Sequence, residues 1–105
     1  MARDLTVMNQ PDTFSLHIGA VEGFSRRLDY KWENSGTKAL VRQASTITAG
    51  GARLEVRDAG GRLVHEKSLA EVGSYPTAEG KPGAWRVTLL LSRATGSVTF
   101  ELAKR

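Results

Sequence analysis

The sequence from Gly83 onward runs Gly83-Ala84-Trp85-Arg86-Val87-Thr88-Leu89-Leu90-Leu91-Ser92, then Arg93 and Ala94-Thr95-Gly96, then Ser97-Val98-Thr99-Phe100-Glu101-Leu102. Both ends of this stretch place large apolar side chains at every second position. A period of two is typical of strands that bury one face and expose the other. The stretch therefore predicts two half-buried strands, joined as a hairpin by a turn at Ala94-Thr95-Gly96.

The same alternation recurs back to Phe14, and turn residues separate the alternating segments. The predicted strands before the hairpin are Thr13–Val21, Phe24–Glu33, Lys38–Thr48, Arg53–Arg57 and Arg62–Leu69. Turns are predicted at Glu22-Gly23, Asn34-Ser35-Gly36-Thr37, Ala49-Gly50-Gly51 and Asp58-Ala59-Gly60-Gly61. Residues 70–82 contain Pro76, Gly80 and Pro82, and they are predicted to form a loop that crosses between sheets or carries function.

The chain has 105 residues, a length typical of one domain. Residues 1–12 are predicted to be an N-terminal lead or an edge strand, which Pro11 prevents from extending. Residues 13–105 are predicted to form a single all-β domain, an antiparallel β-sandwich of immunoglobulin-like or jelly-roll-like type with seven to eight strands. Tyr30, Trp32 and Trp85 share the parity of the apolar residues, so we expect them in its core.

The protein is basic, with a net charge of +4 and a pI of about 9.9. Basic proteins are drawn to acidic polymers or anionic lipid, although acids alternate with the arginines along these strands. One interpretation is a solvated sheet face of mixed charge, and the other is a surface for an anionic ligand. The residues of such a binding surface would be Arg53, Arg57, Arg62 and Arg86, with Tyr75 as a partly exposed aromatic. Nucleic acid is not expected as a partner.

Catalytic and metal-binding patterns are missing from the sequence. There is no cysteine, and no serine sits in a Gly-x-Ser-x-Gly elbow. His17 and His65 are expected to be exposed strand residues, and Asp58 is expected to bond to the backbone of its own turn. We therefore predict a protein that is not an enzyme and that has no metal or other cofactor.

No apolar run is long enough for a transmembrane helix, and residues 1–4 lack the apolar region of a signal peptide. The expectation is an extracytoplasmic domain, whether periplasmic, bound to the outer membrane or secreted. Its signal segment would then be absent from this chain.

Several segments carry a resemblance to known families, namely Tyr30-Lys31-Trp32-Glu33-Asn34-Ser35-Gly36-Thr37, Leu54-Glu55-Val56-Arg57-Asp58-Ala59-Gly60-Gly61, Gly83-Ala84-Trp85-Arg86-Val87-Thr88-Leu89 and Thr95-Gly96-Ser97-Val98-Thr99-Phe100. From Asp29 on, the chain resembles small bacterial exported β-sandwich domains, often borne on lipoproteins and of unknown function. Its second half is also similar to pre-peptidase C-terminal and jelly-roll modules of secreted enzymes. The acidic calcium cluster of some such modules is not present here.

The resemblance implies an accessory, binding or surface role. The leading hypothesis is a non-catalytic extracytoplasmic module that has a binding or structural role at the cell envelope, with an envelope component, a polysaccharide or another protein as its partner. The alternative is a carbohydrate- or polyanion-binding accessory module of a secreted protein. Arginines gathered on one face would favour the alternative, and acids interleaved with them would favour the first hypothesis.

Overall fold

The structure is a computed structural model that describes residues 2–105, of which 77% lie in strands and none in a helix. All strand pairs are antiparallel. The strands are β1 (Ala2–Gln10), β2 (Thr13–Asn34), β3 (Ala39–Gln43), β4 (Thr46–Arg57), β5 (Leu63–Ser68), β6 (Gly73–Pro76) and β7 (Gly83–Lys104). The predicted all-β antiparallel fold of seven to eight strands is therefore confirmed, with seven strands observed in residues 2–105. No helix in the described part of the chain is long and apolar enough to cross a membrane.

Two long strands, β2 and β7, bend and so contribute to both layers of a sandwich. Layer one contains β1, residues 13–21 of β2, residues 96–104 of β7, β3 and β6. Layer two contains residues 26–34 of β2, residues 83–92 of β7, residues 51–57 of β4, and β5, whereas the start of β4 pairs with residues 95–97 of β7 at the corner. The layers face each other, because the Phe14 ring in layer one lies 5.4 Å from the Tyr30 ring in layer two.

The bends coincide with irregular pairing. The register between β2 and β7 shifts three times between Ile18 and Arg26, which is how bulges turn a strand from one layer into the other. On β4 the bend falls at Gly50, whose φ of 72° is in the left-handed region. A Cβ at Gly50 would collide with the Arg93 carbonyl, and one at Gly96 would collide with the Thr46 carbonyl. Glycine is thus required where β4 and β7 cross the corner together.

The inward faces of the two layers form one apolar core. Trp32 and Trp85 are a directly opposed pair on β2 and β7, fully buried, with their ring centroids 5.9 Å apart in an edge-to-face arrangement. Each indole nitrogen donates a hydrogen bond to a backbone carbonyl, at Gln10 and Lys81 respectively. The expected burial of both tryptophans is confirmed.

Several predicted boundaries are wrong, and the bends of the long strands account for those at residues 22–23, 49–51 and 94–96. Residues 83–104 are one bent strand and not a hairpin, because the two halves pair with different parts of β2. Glu22-Gly23 and Ala49-Gly50-Gly51 likewise lie at bends within β2 and β4. The predicted strand over residues 38–48 splits into β3 and the start of β4, and the predicted loop over residues 70–82 contains β6.

Candidate functional site

The outward face of layer two, here called the charged face, carries most of the arginines that the sequence suggested for binding. Arg53 and Arg57 lie on β4 beside Arg86 of β7. Cross-strand pairing arranges this face in rows of residues from adjacent strands. The first row is Arg27, Leu90, Arg53 and Ser68, the middle row is Asp29, Thr88, Glu55 and Glu66, and the third row is Lys31, Arg86, Arg57 and Leu63.

Acids of the middle row neutralise cations of the rows on both sides. Arg53 contacts Glu66 and lies 3.7 Å from Glu55, whose other oxygen is 3.7 Å from Arg57. Asp29 accepts a hydrogen bond of 2.7 Å from the Thr88 hydroxyl and forms an ion pair of 3.0 Å with Arg27. These two contacts, that of Thr88 first, lower the pKa of Asp29 below its usual value.

The third row is the most basic part of the charged face. Lys31 and Arg57 both lie directly opposite Arg86, one on each side. Of these three cations, only Arg57 has a carboxylate within 4 Å among residues 2–105. Neighbouring like charges repel, so a bound anion would relieve the repulsion at Arg86.

The other two suggested residues lie elsewhere. Arg62 follows the turn at the end of β4, and its backbone N–H donates to Asp58. Tyr75 lies on β6, at the edge of layer one, where the Lys67 ammonium sits 4.5 Å from its ring centroid. Tyr75 is half-buried, as expected. The structure therefore brings Arg53, Arg57 and Arg86 together on one face, places Arg62 in the turn next to the end of the third row, and does not bring Tyr75 to them.

Asp58 has the structural role that its turn predicted. Its carboxylate accepts backbone hydrogen bonds from Lys81, Gly60 and Arg62, at 2.8 to 2.9 Å. These bonds, that from Lys81 first, lower the pKa of Asp58. The side chain joins the β4–β5 turn to the segment before β7 and is not available as an acid catalyst.

His65 was expected to be exposed, and this prediction is wrong. The pairing of β4 with β5 shifts by one residue beside Arg57, so Val64 and His65 both turn inward. His65 Nε2 lies 3.0 Å from Gln43 Oε1, and the Gln43 amide nitrogen donates to the carbonyls of Ser68 and Glu71. His65 therefore links the two layers. His17, on the outer face of layer one, is exposed as expected.

The aromatic side chains leave no exposed platform in the described chain. Phe14, Trp32, Trp85 and Phe100 are buried, while Phe24, Tyr30 and Tyr75 are half-buried. Residues 2–105 also contain no group of three or more histidine or acidic side chains arranged to hold a metal ion.

One side of the sandwich is closed along only part of its length. This side, here called the seam, separates β1 from residues 24–34 of β2. At one end of it, Asn9 donates to the Lys31 carbonyl at 2.8 Å, and the Asp12 backbone donates to the Glu33 carbonyl at 2.8 Å. Asp12 is itself held by hydrogen bonds from Ser35, which lower its pKa. That end of the seam is therefore sealed.

Among residues 2–105, the other end of the seam is open and forms an apolar groove of about 370 Å³, here called the seam groove. Its lining residues are Ala2, Leu5, Ile18, Phe24, Arg26 and Leu28. Leu5 faces inward with Ile18, its partner on β2, yet remains 51% exposed. Layer two therefore does not extend far enough to cover it. The sequence shows an apolar patch at Leu5, Val7 and Met8, but the residues across the groove come from β2 and cannot be paired with it by spacing.

Comparison with known proteins supports the fold of the chain but identifies no family for it. No protein-family model matches the chain, and no curated protein matches it in sequence. The C-terminal CBM6 of LamC, a marine laminarinase from Zobellia galactanivorans, matches with a TM-score of 0.50 at 14% identity, over 99% of this chain and 91% of that one. The similarity supports the β-sandwich fold.

Two weaker structural matches were also found. Accessory secretory protein 1, 2 and 3 of Streptococcus pneumoniae gives a TM-score of 0.43 at 15% identity, over 96% of this chain and 85% of that one. An arabinose-bound MgGH51 α-L-arabinofuranosidase gives 0.39 at 16% identity, over 95% of this chain and 22% of that one. The resemblance to exported bacterial domains therefore stays a prediction beyond the β-sandwich fold.

Proposed function

We propose that this chain is a non-catalytic β-sandwich module that acts outside the cytoplasm and binds a component of the cell envelope. The observation that carries the proposal is the seam groove, where Leu5, Phe24 and Leu28 offer apolar surface to solvent. Apolar surface left open in a concave site is typical of a docking position. The matching fold of a carbohydrate-binding module is consistent with a binding role.

The charged face supports this choice over a polyanion site. Acids of the middle row lie between the cation rows, which is the arrangement expected of a solvated sheet face. An anionic polymer that approached Arg53 would therefore also meet Glu55 and Glu66.

A second candidate, a carbohydrate- or polyanion-binding accessory module, is favoured by one observation. The cations of the third row, Lys31, Arg86 and Arg57, lie side by side on three adjacent strands. An anionic sugar polymer that ran along this row would contact all three. The absence of an exposed aromatic ring in residues 2–105 makes neutral sugars poorer partners, since sugars commonly stack on such rings.

Co-sedimentation with bacterial envelope fragments tests the proposal. The purified protein is mixed with washed envelopes or, as a control, with cytosolic extract immobilised on beads. Each mixture is prepared at about 0.15 M salt, which screens charges farther apart than about 8 Å, and at about 0.5 M salt, which screens those farther apart than about 4 Å. We expect retention on envelopes at both salt concentrations, because the groove is apolar. A Leu5→Lys variant should lose it, and Arg57→Glu combined with Arg86→Glu should not.

Two results would change the conclusion. No retention on envelopes at either salt concentration contradicts the proposed function. Retention on a heparin column near 0.15 M salt that disappears in the double arginine variant, with no effect of Leu5→Lys, establishes the second candidate instead.

A further inference from the structure

The part of β2 that borders the seam groove has an unpaired edge. β7 occupies one edge of this segment, and the other edge faces the seam. The Lys31 and Glu33 carbonyls on the seam edge accept hydrogen bonds from the end of β1 and the turn that follows it. Because backbone groups alternate between the two edges of a strand, those of Arg27 and Asp29 face the seam as well. No strand within residues 2–105 pairs with them.

The unpaired edge runs along the apolar wall of the groove. Leu28 lies between Arg27 and Asp29 and faces inward, opposite Leu89 of β7. Leu5 lies across the groove from Leu28, and Ile18 forms part of the floor. An extended segment laid along the edge would pair with Arg27 and Asp29, and its alternate side chains would enter the groove.

The positive charge of Arg26 beside the groove indicates which kind of side chain the bound molecule should carry. Arg26 lies directly opposite the buried Leu91 on β7, so its side chain starts from the inward face, and it lines the groove. Its guanidinium has no carboxylate within 4 Å in the described chain. An acidic side chain on the occupant would therefore complement the groove.

We propose that the seam groove binds an extended peptide segment of a partner protein by strand addition. The segment pairs with the main chain of Arg27 and Asp29 and inserts alternate apolar side chains beside Leu5. One acidic residue of the segment meets Arg26. This inference rests on the proposed function, because it names the class of partner for the same groove.

The geometry favours a peptide over two other occupants. A fatty acid would fill the apolar groove and meet Arg26, but its chain would leave the main-chain groups of Arg27 and Asp29 unpaired. A second copy that joined through the outer edge of β1 would leave the main-chain groups of Arg27 and Asp29 unpaired, and Asp4, at φ 62°, interrupts the extended backbone of that edge. A peptide strand satisfies the main chain, the apolar wall and the charge together.

The test selects linear peptides of about nine residues, long enough to follow this edge, from a library displayed on phage. We expect enrichment of peptides that alternate apolar and polar residues and carry an Asp or Glu. The best peptide is then synthesised with methyl groups on alternate amide nitrogens, in both possible frames. One frame should abolish binding and the other should not, since only every second amide of an added strand faces its partner.

Matched variants locate the site. Leu5→Lys should weaken binding of the selected peptide at least roughly tenfold, because it places a charge in the apolar wall. Val72→Lys, at a residue that is 65% exposed and lies outside the groove, should leave binding unchanged. Arg26→Glu should weaken binding of the peptide roughly fivefold, which is the upper range for an exposed ion pair. Arg105→Glu, which makes the same charge change outside the groove, should leave binding unchanged. Unfolding midpoints equal to that of the wild type show that each variant is folded.

Amide hydrogen exchange supplies a readout at the edge itself. Saturation with the peptide should slow exchange at Arg27 and Asp29, whereas Leu28, whose amide faces β7, should already be slow. The inference is overturned if no peptide is enriched or if both methylated frames bind alike. It is also overturned if dodecanoate binds and no peptide does, or if sedimentation shows a dimer that Leu5→Lys dissociates. In each of these cases the co-sedimentation result with envelopes still decides the proposed function on its own.

Discussion

The link between the two layers through His65 predicts a specific loss of stability in weak acid. His65 is only 8% exposed, and burial, followed by the charge of Lys67, lowers its pKa to about 4. The Gln43 amide nitrogen donates to two backbone carbonyls, so Gln43 must present its oxygen to the imidazole. His65 Nε2 is then the protonated nitrogen of a neutral ring.

The size of the effect follows from the difference between the folded and unfolded states. An unfolded histidine titrates near pH 6.5, whereas folded His65 titrates near pH 4. Above about pH 6.5 the ring is neutral in both states, and stability is at its full value. Between about pH 6.5 and pH 4 only the unfolded state takes up the proton, so folding loses about 1.4 kcal/mol per pH unit and about 3 kcal/mol in all.

The measurement is urea unfolding followed by tryptophan fluorescence, from about pH 7.5 to about pH 4.5, on the wild type and on His65→Gln. Glutamine keeps an amide donor for Gln43 and does not titrate in this range. Carboxylates with lowered pKa values, such as Asp29, also cost stability as the pH falls, but they contribute equally to both proteins. The difference between the two curves should therefore grow by about 2–3 kcal/mol in favour of the variant. Curves that stay parallel refute the neutral, buried His65.

Two further predictions concern the core and the corner. Trp85→Ala should lower the free energy of unfolding by about 3–5 kcal/mol, because it removes the partner of Trp32 and leaves the Lys81 carbonyl with only the longer hydrogen bond of 3.4 Å from the Ala59 backbone. A loss below about 1 kcal/mol in denaturant unfolding would contradict the packing. Gly50→Ala should cost about 2–3 kcal/mol through the strained φ and the collision with the backbone of β7, whereas Gly51→Ala, with open space at its Cβ, should cost under about 0.5 kcal/mol. Equal losses in the two glycine variants would show that the corner does not require Gly50.

The alternation of apolar and polar residues along the sequence was enough to predict the fold class and the core residues. Trp85, Val87 and Leu89 are buried as their parity predicted, and so are Phe14, Leu16 and Ile18 of β2. The bends were misassigned because the same residue types serve two geometries. Glycine and small polar residues such as those at Thr95 and Gly96 permit a reversal or a bulged corner, and only the distant partner strand decides between them.

The alternation of inward and outward residues also made part of the charged face predictable. Arg53 and Arg57 share a parity opposite to that of the core residues, so their common face follows from the sequence. Their position beside Arg86 depends on the pairing of β4 with β7, which joins residues far apart in the chain. The inward turn of His65 depends on a one-residue shift between β4 and β5 that no local pattern shows.

The seam separates the parts of the molecule that hold the fold together from the part that is open to a partner. At the sealed end, Trp32 donates to the Gln10 carbonyl, and Asp12 joins β1 to both Ser35 and Lys104. At the open end, Leu5 contributes little to the core because half of its surface is already exposed. Substitutions at the sealed end should therefore act on stability, whereas those at the open end should act on binding at nearly constant stability. This separation is what allows Leu5→Lys to test the function of the groove in a folded protein.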